Sequence, residues 1–370
     1  MPDISLCMIV KNEEASLEHC LSGIASYVDE IIIIDTGSTD RTKEIAFRFT
    51  NKVYDYMWIN DFAAARNYSI RKADNEFILV LDSDETVENI NMDNIKLLIE
   101  QHPREIGRLL RINEFTRKGV LHKYSERVNR LFSKKYYRYE GIIHEQLVPI
   151  TGSASNIMVD ECSNVSQWTE LATDKDYTYP IPLTIRHSGY EGDLDQRKKK
   201  TERNISLLKT ALQQHPNDPY LLYQLGKSYY MEEDYETARE FFGQALFVDL
   251  DTRLEYVQDM VESYGYSLIN IEQYETALQM LNLYDEFSHS TDFIFLTALI
   301  LMNNGRFHEA IREFQLATKK KECKMEGVNS YLAFYNIGVI YECLGDLENA
   351  KKSYKKCENY EAATVRLSKL

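Results

Sequence analysis

Basic charge is scarce in this chain. Its 43 Lys and Arg stand against 58 Asp and Glu, for a net charge of −15. A phosphate-backbone partner needs a basic face, so nucleic acid is excluded as the expected partner. The run Arg197–Lys200 is a local exception, and a short one. Cysteine is sparse too: Cys7, Cys20, Cys162, Cys323, Cys343 and Cys357 show neither CxxC spacing nor clustering, so no zinc site is indicated. Neither GxGxxG nor GxxxxGK[ST] occurs, which removes the dinucleotide and P-loop signatures. No apolar run is long enough for a membrane span. The opening MPDISLCMIVKNEE lacks a basic region followed by a long apolar core, so the expectation is a soluble, cytoplasmic protein without a signal peptide. What is present is globular: 44% hydrophobic residues in 370, room for two domains with separate cores.

The most informative stretch is FILVLDSDE, Phe77 to Glu85. Five apolar residues suit a strand buried on both faces, and it ends in Asp82, Ser83, Asp84 and Glu85. Carboxylates packed so closely are costly unless a cation or hydrogen-bond donors compensate. Hard oxygen ligands at the carboxyl end of a buried strand suit Mg²⁺ or Mn²⁺, which would in turn hold a diphosphate. Two earlier runs have the same form. ISLCMIV (Ile4–Val10) stops at Lys11, Asn12 and Glu13, and the four isoleucines Ile31–Ile34 stop at Asp35 before Gly37, Ser38, Thr39 and Asp40. With Val53–Trp58 as a further strand and helical patterns between, the order is β-α-β-α-β-α-β. That order calls for a parallel sheet with helices on both faces and ligands along its carboxyl edge.

The runs ISLCMIVKNEE, IIIIDTGSTDRT, FAAARN and FILVLDSDE, in this order, resemble the amino-terminal half of family 2 glycosyltransferases. The resemblance implies an α/β GT-A fold, Rossmann-like with a mostly parallel sheet. It implies a nucleotide sugar as donor substrate, most simply a UDP-sugar, with Mg²⁺ or Mn²⁺ as cofactor. Val10, Asn12, Glu13, Asp35, Ser38 and Asp40 become nucleotide-side candidates, and Arg66 a donor or phosphate contact. Asp82 and Ser83 fall on the ribose or diphosphate, and Asp82 and Asp84 on the metal. From Gly107 onward shorter strands are expected: GRLLRI, RVNRLF and GIIHEQLVPI. The last would carry the catalytic base, Glu145 or His144, alternating across a strand so that one faces the pocket. Residues 151–180 read as an insertion or lid on the acceptor side. PLTIRHSGY (Pro182–Tyr190) reads as a last strand, whose His187 is a candidate third metal ligand or diphosphate contact.

Beyond Asp193 every long pattern is helical and repeats. DYETA, QYETA, RFHEA and DLENA head the second helix of four units, with alanines 39, 33 and 40 residues apart. The tetratricopeptide repeat has a period of about 34. The expected organisation is a glycosyltransferase domain over 1–190 and an all-α tetratricopeptide solenoid over 193–370, offering a face to a peptide or a flank for a homodimer. The combination resembles the sublancin-type S-glycosyltransferases, which modify a cysteine of a bacteriocin peptide. The alternatives are a peptide-binding scaffold with an inactive transferase domain, and a transferase acting on a saccharide.

Overall fold

The computed structural model describes residues 1–117, 120–150, 177–187 and 194–370. They form two compact units, Met1–Leu221 and Leu222–Leu370.

In the first unit β1 (Ile4–Val10), β2 (Glu30–Asp35), β3 (Val53–Asp55) and β4 (Phe77–Val80) alternate with α1 (Leu17–Ile24), α2 (Thr42–Ala46) and α3 (Phe62–Lys72). After β4 come β5 (Glu85–Ile90), α4 (Met92–Gln101), β6 (Ile106–Arg117), β7 (Val120–Ser133), β8 (Tyr137–Glu140), β9 (Gln146–Pro149) and β10 (Thr178–His187). The main sheet has eight strands in the order β3-β2-β1-β4-β7-β6-β10-β5. β3, β2, β1 and β4 are parallel, β7 reverses direction beside β4, and β10 runs parallel to β6. The strand alternation of period two explains why isoleucine runs are needed here. Ile4, Leu6, Met8, Ile31 and Ile33 pack with Leu17, Leu21 and Ile24 of α1 and Ile95 and Ile99 of α4. Cys7, Ile32, Ile34, Ile78 and Val80 face the other way, onto Ala63 and Ile70 of α3 and Tyr137, Tyr139 and Leu147 of the β8–β9 hairpin. Each fully buried Ile or Leu contributes about 1.5–3 kcal/mol, so both faces stabilise the sheet.

Two expectations need correction. β6 and β7 are not short: at 12 and 14 residues they are the longest strands described, paired antiparallel from Gly107↔Leu131 to Arg117↔Val120. His144 and Glu145 do not alternate on a strand. Gly141–Glu145 is the loop of the β8–β9 hairpin, with positive φ at Gly141 (100°) and His144 (50°), and a chain that turns left-handed twice cannot stay extended. The helix Leu194–Gln214, expected to open the repeat domain, lies in the first compact unit, and the division falls inside the helix Pro219–Met231. The expected lid over 151–180 lies outside the described residues except for its last four.

The second unit consists of helix pairs. Glu255–Asn270, Thr291–Asn303 and Tyr331–Cys343 alternate with Tyr235–Leu246, Phe307–Ala317 and Leu347–Lys355. Small residues set the spacing within and between pairs. A Cβ on Gly226 would meet the Phe242 ring at 2.6 Å, and one on Gly265 would meet Leu296 at 2.7 Å. Asp234 and Asp346, which open DYETA and DLENA, cap their helices by accepting from Thr237 N and Asn349 N, both at 3.1 Å. QYETA has Gln273 there and no side-chain cap, and its helix breaks into Tyr274–Ala277, a 3-10 stretch and Tyr284–Phe287.

Candidate active site

The parallel strands end together, and their loops are stitched to one another. The Val10 carbonyl accepts from Thr36 N (2.9 Å) and Thr36 Oγ1 (3.1 Å). Asn12, at φ 56°, donates its N–H to Ser38 Oγ (2.9 Å) and accepts from Thr39 N (2.8 Å). Asp40 takes Glu14 N (3.1 Å), Thr42 N (3.0 Å) and Thr42 Oγ1 (2.5 Å). Val10, Asn12, Ser38 and Asp40 thus build the loops. Asp35 differs. Its Oδ1 accepts from Gly37 N and Ser38 N, both at 2.9 Å, a turn that needs Gly37 at φ 103°. Its Oδ2 is buried without a hydrogen-bond partner, a costly arrangement unless a ligand supplies one.

At the end of β4 the acidic cluster divides. Asp82 turns to arginine: Oδ1 accepts from Arg66 Nη2 and Oδ2 from Arg130 Nη2, both at 2.8 Å. The same Arg130 nitrogen reaches Glu85 Oε1 at 2.7 Å, and Glu85, fully buried, also takes the Asp82 N–H at 2.9 Å. Burial would raise the Asp82 carboxyl, but the Arg130 and Arg66 charges hold it well below the usual carboxylate range. Glu85 goes the other way, raised chiefly by its burial and then by Asp82. Arg66 Nε also donates to Glu145, so one guanidinium joins Asp82 to the candidate base, while its Nη1 is buried without a partner.

Asp84 faces elsewhere. Its Oδ2 is 3.4 Å from His187 Nε2 and 3.4 Å from Lys200 Nζ, and His187 Nδ1 meets Asn113 Oδ1 at 2.9 Å. Burial opposes ionisation of Asp84, but the His187 hydrogen bond and the His187 and Lys200 charges keep its pKa below the ordinary value. Glu13 is raised, by burial first and then by the Asp84 charge. Ser83 is buried, and Glu13 accepts from Ser16 Oγ at 2.8 Å.

Of the expected metal trio the structure brings two residues together. Asp84 and His187 meet, but Asp82 is engaged by two arginines, and no three acidic, His or Cys side chains converge on a point among the described residues. Two such ligands still fit Mg²⁺ or Mn²⁺, which commonly keep waters and take the rest of their oxygens from substrate phosphates. His144 is pushed down to about 4, mainly by burial, and its Nε2 is buried without a partner. It is neutral at neutral pH. Sequence reasoning missed Arg130, Asn113 and Lys200. An arginine beside Leu131 and Phe132 in RVNRLF was a usable signal, since a charge in a buried strand needs partners. Lys200 stood in a basic run that read only as a short local exception to the acidic composition.

Known proteins give the following likenesses. Residues 5–151 match Glycosyl transferase family 2, and residues 207–240 and 331–364 match the tetratricopeptide repeat. A tetratricopeptide repeat-containing protein of Synechococcus elongatus is 35% identical over 247 residues, 66% of this chain and 57% of that protein. The SPbeta prophage-derived glycosyltransferase SunS of Bacillus subtilis is 26% identical over 259 residues, 66% of this chain and 53% of SunS. The chain thus spans little more than half the length of these relatives. Among solved structures, the tetratricopeptide protein YrrB is 24% identical with a TM-score of 0.40, over 48% of this chain and 88% of YrrB. No helix among the described residues is long and apolar enough to cross a membrane. An eight-stranded, mostly parallel sheet with an acidic carboxyl edge, matched over 5–151, and a helical unit with close glycine contacts lead to one assignment: residues 5–151 form a glycosyl transferase family 2 domain with a GT-A-like sheet, and tetratricopeptide repeats follow.

Proposed function

We propose that the chain is a metal-dependent glycosyltransferase that moves a hexose from a nucleotide sugar, a UDP-sugar in the simplest case, to a peptide acceptor with inversion. A cysteine thiol is the acceptor we favour, as in the sublancin-type enzymes the sequence resembles. The observation that carries the donor half is the pair of carboxylates on one sheet edge. Asp35 holds a buried oxygen with no partner, and Asp84 shares one oxygen between His187 and Lys200.

In this reading Asp35 Oδ2 accepts from an N–H of the base or a ribose hydroxyl. Asp84 and His187 hold the divalent ion, which when bound neutralises charge on the departing diphosphate. Arg66 and Arg130 fix Asp82 and Glu145 around the donor, with the unpartnered Nη1 of Arg66 left to a substrate oxygen. Glu145 takes the acceptor proton, and the neutral His144 beside it is the second choice. A thiol ionises near neutral pH and asks little of either. The repeats present the peptide. The test is mass spectrometry of candidate peptides, cysteine-containing and cysteine-free, after incubation with a set of nucleotide sugars and Mn²⁺ or Mg²⁺. A hexose adduct confined to the cysteine-containing peptides is the expected result. Adducts on serine or on saccharide acceptors alone would redirect the acceptor assignment, and no adduct with any donor would defeat it.

A further inference from the structure

The run Arg197–Lys200 is a basic stretch in an acidic chain, and the roles above leave its lysines unused. Its last residue, Lys200, lies on the helix Leu194–Gln214 in the same compact unit as the sheet. Lys200 Nζ approaches the very oxygen of Asp84 that His187 Nε2 approaches, each at 3.4 Å. Arg203 is three residues further on, so the two share a helix face. Its guanidinium lies over the ring of Phe62, 5.3 Å from the centroid. Phe62 opens α3, the helix whose Arg66 holds Asp82. That contact fixes the point from which the Lys200 stem departs, beside the diphosphate end of the proposed donor site.

The Lys200 side chain is 52% exposed. A pair so open to water contributes about 0–1 kcal/mol to stability, so its placement is poorly explained by folding. Ammonium is a point charge that serves phosphate well, and it can exchange one anionic partner for another without rebuilding the site. The Lys200 ammonium thus already sits against Asp84, at the mouth of the proposed donor site.

We propose that Lys200 is a donor-binding residue: its ammonium moves from Asp84 to the distal phosphate of an incoming nucleoside diphosphate sugar. There it shares in neutralising the diphosphate. When the sugar–phosphate bond breaks, the electron pair stays on the phosphate oxygen, and Lys200 is one of the cations facing that charge. The inference rests on the nucleotide-sugar reading above and adds a protein cation to it.

Titration calorimetry on the full chain tests it, using the diphosphate and monophosphate of uridine, guanosine and adenosine, with chelator and with Mn²⁺. Hydrogen bonds to charged groups lead us to expect that Lys200→Ala loses about tenfold in affinity for the preferred diphosphate while monophosphate affinity is kept. Lys200→Arg should recover most of the loss, and Lys199→Ala, on the neighbouring exposed position, should change nothing. An unchanged ratio of diphosphate to monophosphate affinity in Lys200→Ala overturns the role of Lys200 alone. Failure of the unsubstituted chain to bind any of the diphosphates overturns the nucleotide-sugar reading, and this inference with it.

Discussion

Both units bury carboxylates, and they compensate them differently. In the sheet unit Asp82 and Glu85 are bridged by one nitrogen of Arg130, and Arg66 ties Asp82 to Glu145. In the repeat unit Asp259, Glu262 and Asp292 are all buried, and their cations are lysines. Lys227 Nζ and Tyr223 OH reach the same oxygen of Asp259, at 2.5 and 2.6 Å. Asp292 accepts from the N–H groups of Lys324 and Met325, both at 2.8 Å, and Glu262 accepts from Ser290 Oγ at 2.8 Å. The outcomes diverge. Asp82 stays far below the carboxylate range, whereas Glu262 is pushed up to about 7, by burial first and with Asp292 and Asp259 adding to it. A planar guanidinium serves two carboxylates at once with fixed geometry, whereas an ammonium is a compact charge on a flexible stem. Each cluster keeps one carboxylate lowered and one raised, Asp82 with Glu85 and Asp259 with Glu262, and the lysine-served one has an acid that binds a proton near neutrality.

The largest expected effect separates chemistry from packing. Asp84→Asn should lower transfer on the order of 10²–10³-fold, the scale for losing one charge-stabilising group in a site, with the melting temperature nearly unchanged. Turnover by mass spectrometry together with thermal melts checks it. A variant at near-normal turnover would remove Asp84 from the mechanism. Next comes the contrast itself. Arg130→Met leaves Asp82 and Glu85 facing each other in the interior, and breaking a buried pair this way costs about 3–5 kcal/mol. Lys227→Met should cost only about 1 kcal/mol, because Lys227 is one-third exposed and Tyr223 still serves Asp259. Equal losses in denaturant melts would erase the difference between the two designs.

The smallest effect concerns pH. Glu262 binds its proton more tightly folded than unfolded, so between its ordinary pKa of 4.5 and about 7 the folded state holds more protons. Its contribution is therefore full below that window and is lost as pH rises through it. Lys324, Asp292 and Asp259 are the charges that act on it. Glu262→Gln keeps an acceptor for Ser290 and removes the ionisation. It should gain stability at pH 8, with little change at pH 5. Denaturant melts at both pH values check this, and an equal shift at both would mean that Glu262 is not the titrating group.

The strand-helix alternation of the first 87 residues was legible because isoleucine and valine runs ending in polar residues have one economical arrangement, a sheet covered on both faces. The repeats were legible for a similar local reason: alanine and glycine recur where helices must approach closely. Asp35 and Asp84 were found because each closes an apolar strand. Asp82 looked equivalent to Asp84 in sequence, yet Arg66 and Arg130, 16 and 48 residues away, take both its oxygens. The hairpin loop at Gly141–Glu145 looked extended until its left-handed residues turned it, which no alternation of residue types announces. Composition and periodicity determined which segments are buried and on which faces, because burial follows from local pattern. Which carboxylate the arginines take, and which lysine of a basic run reaches Asp84, only the tertiary structure decided, because ion pairing depends on distances between residues far apart in the chain.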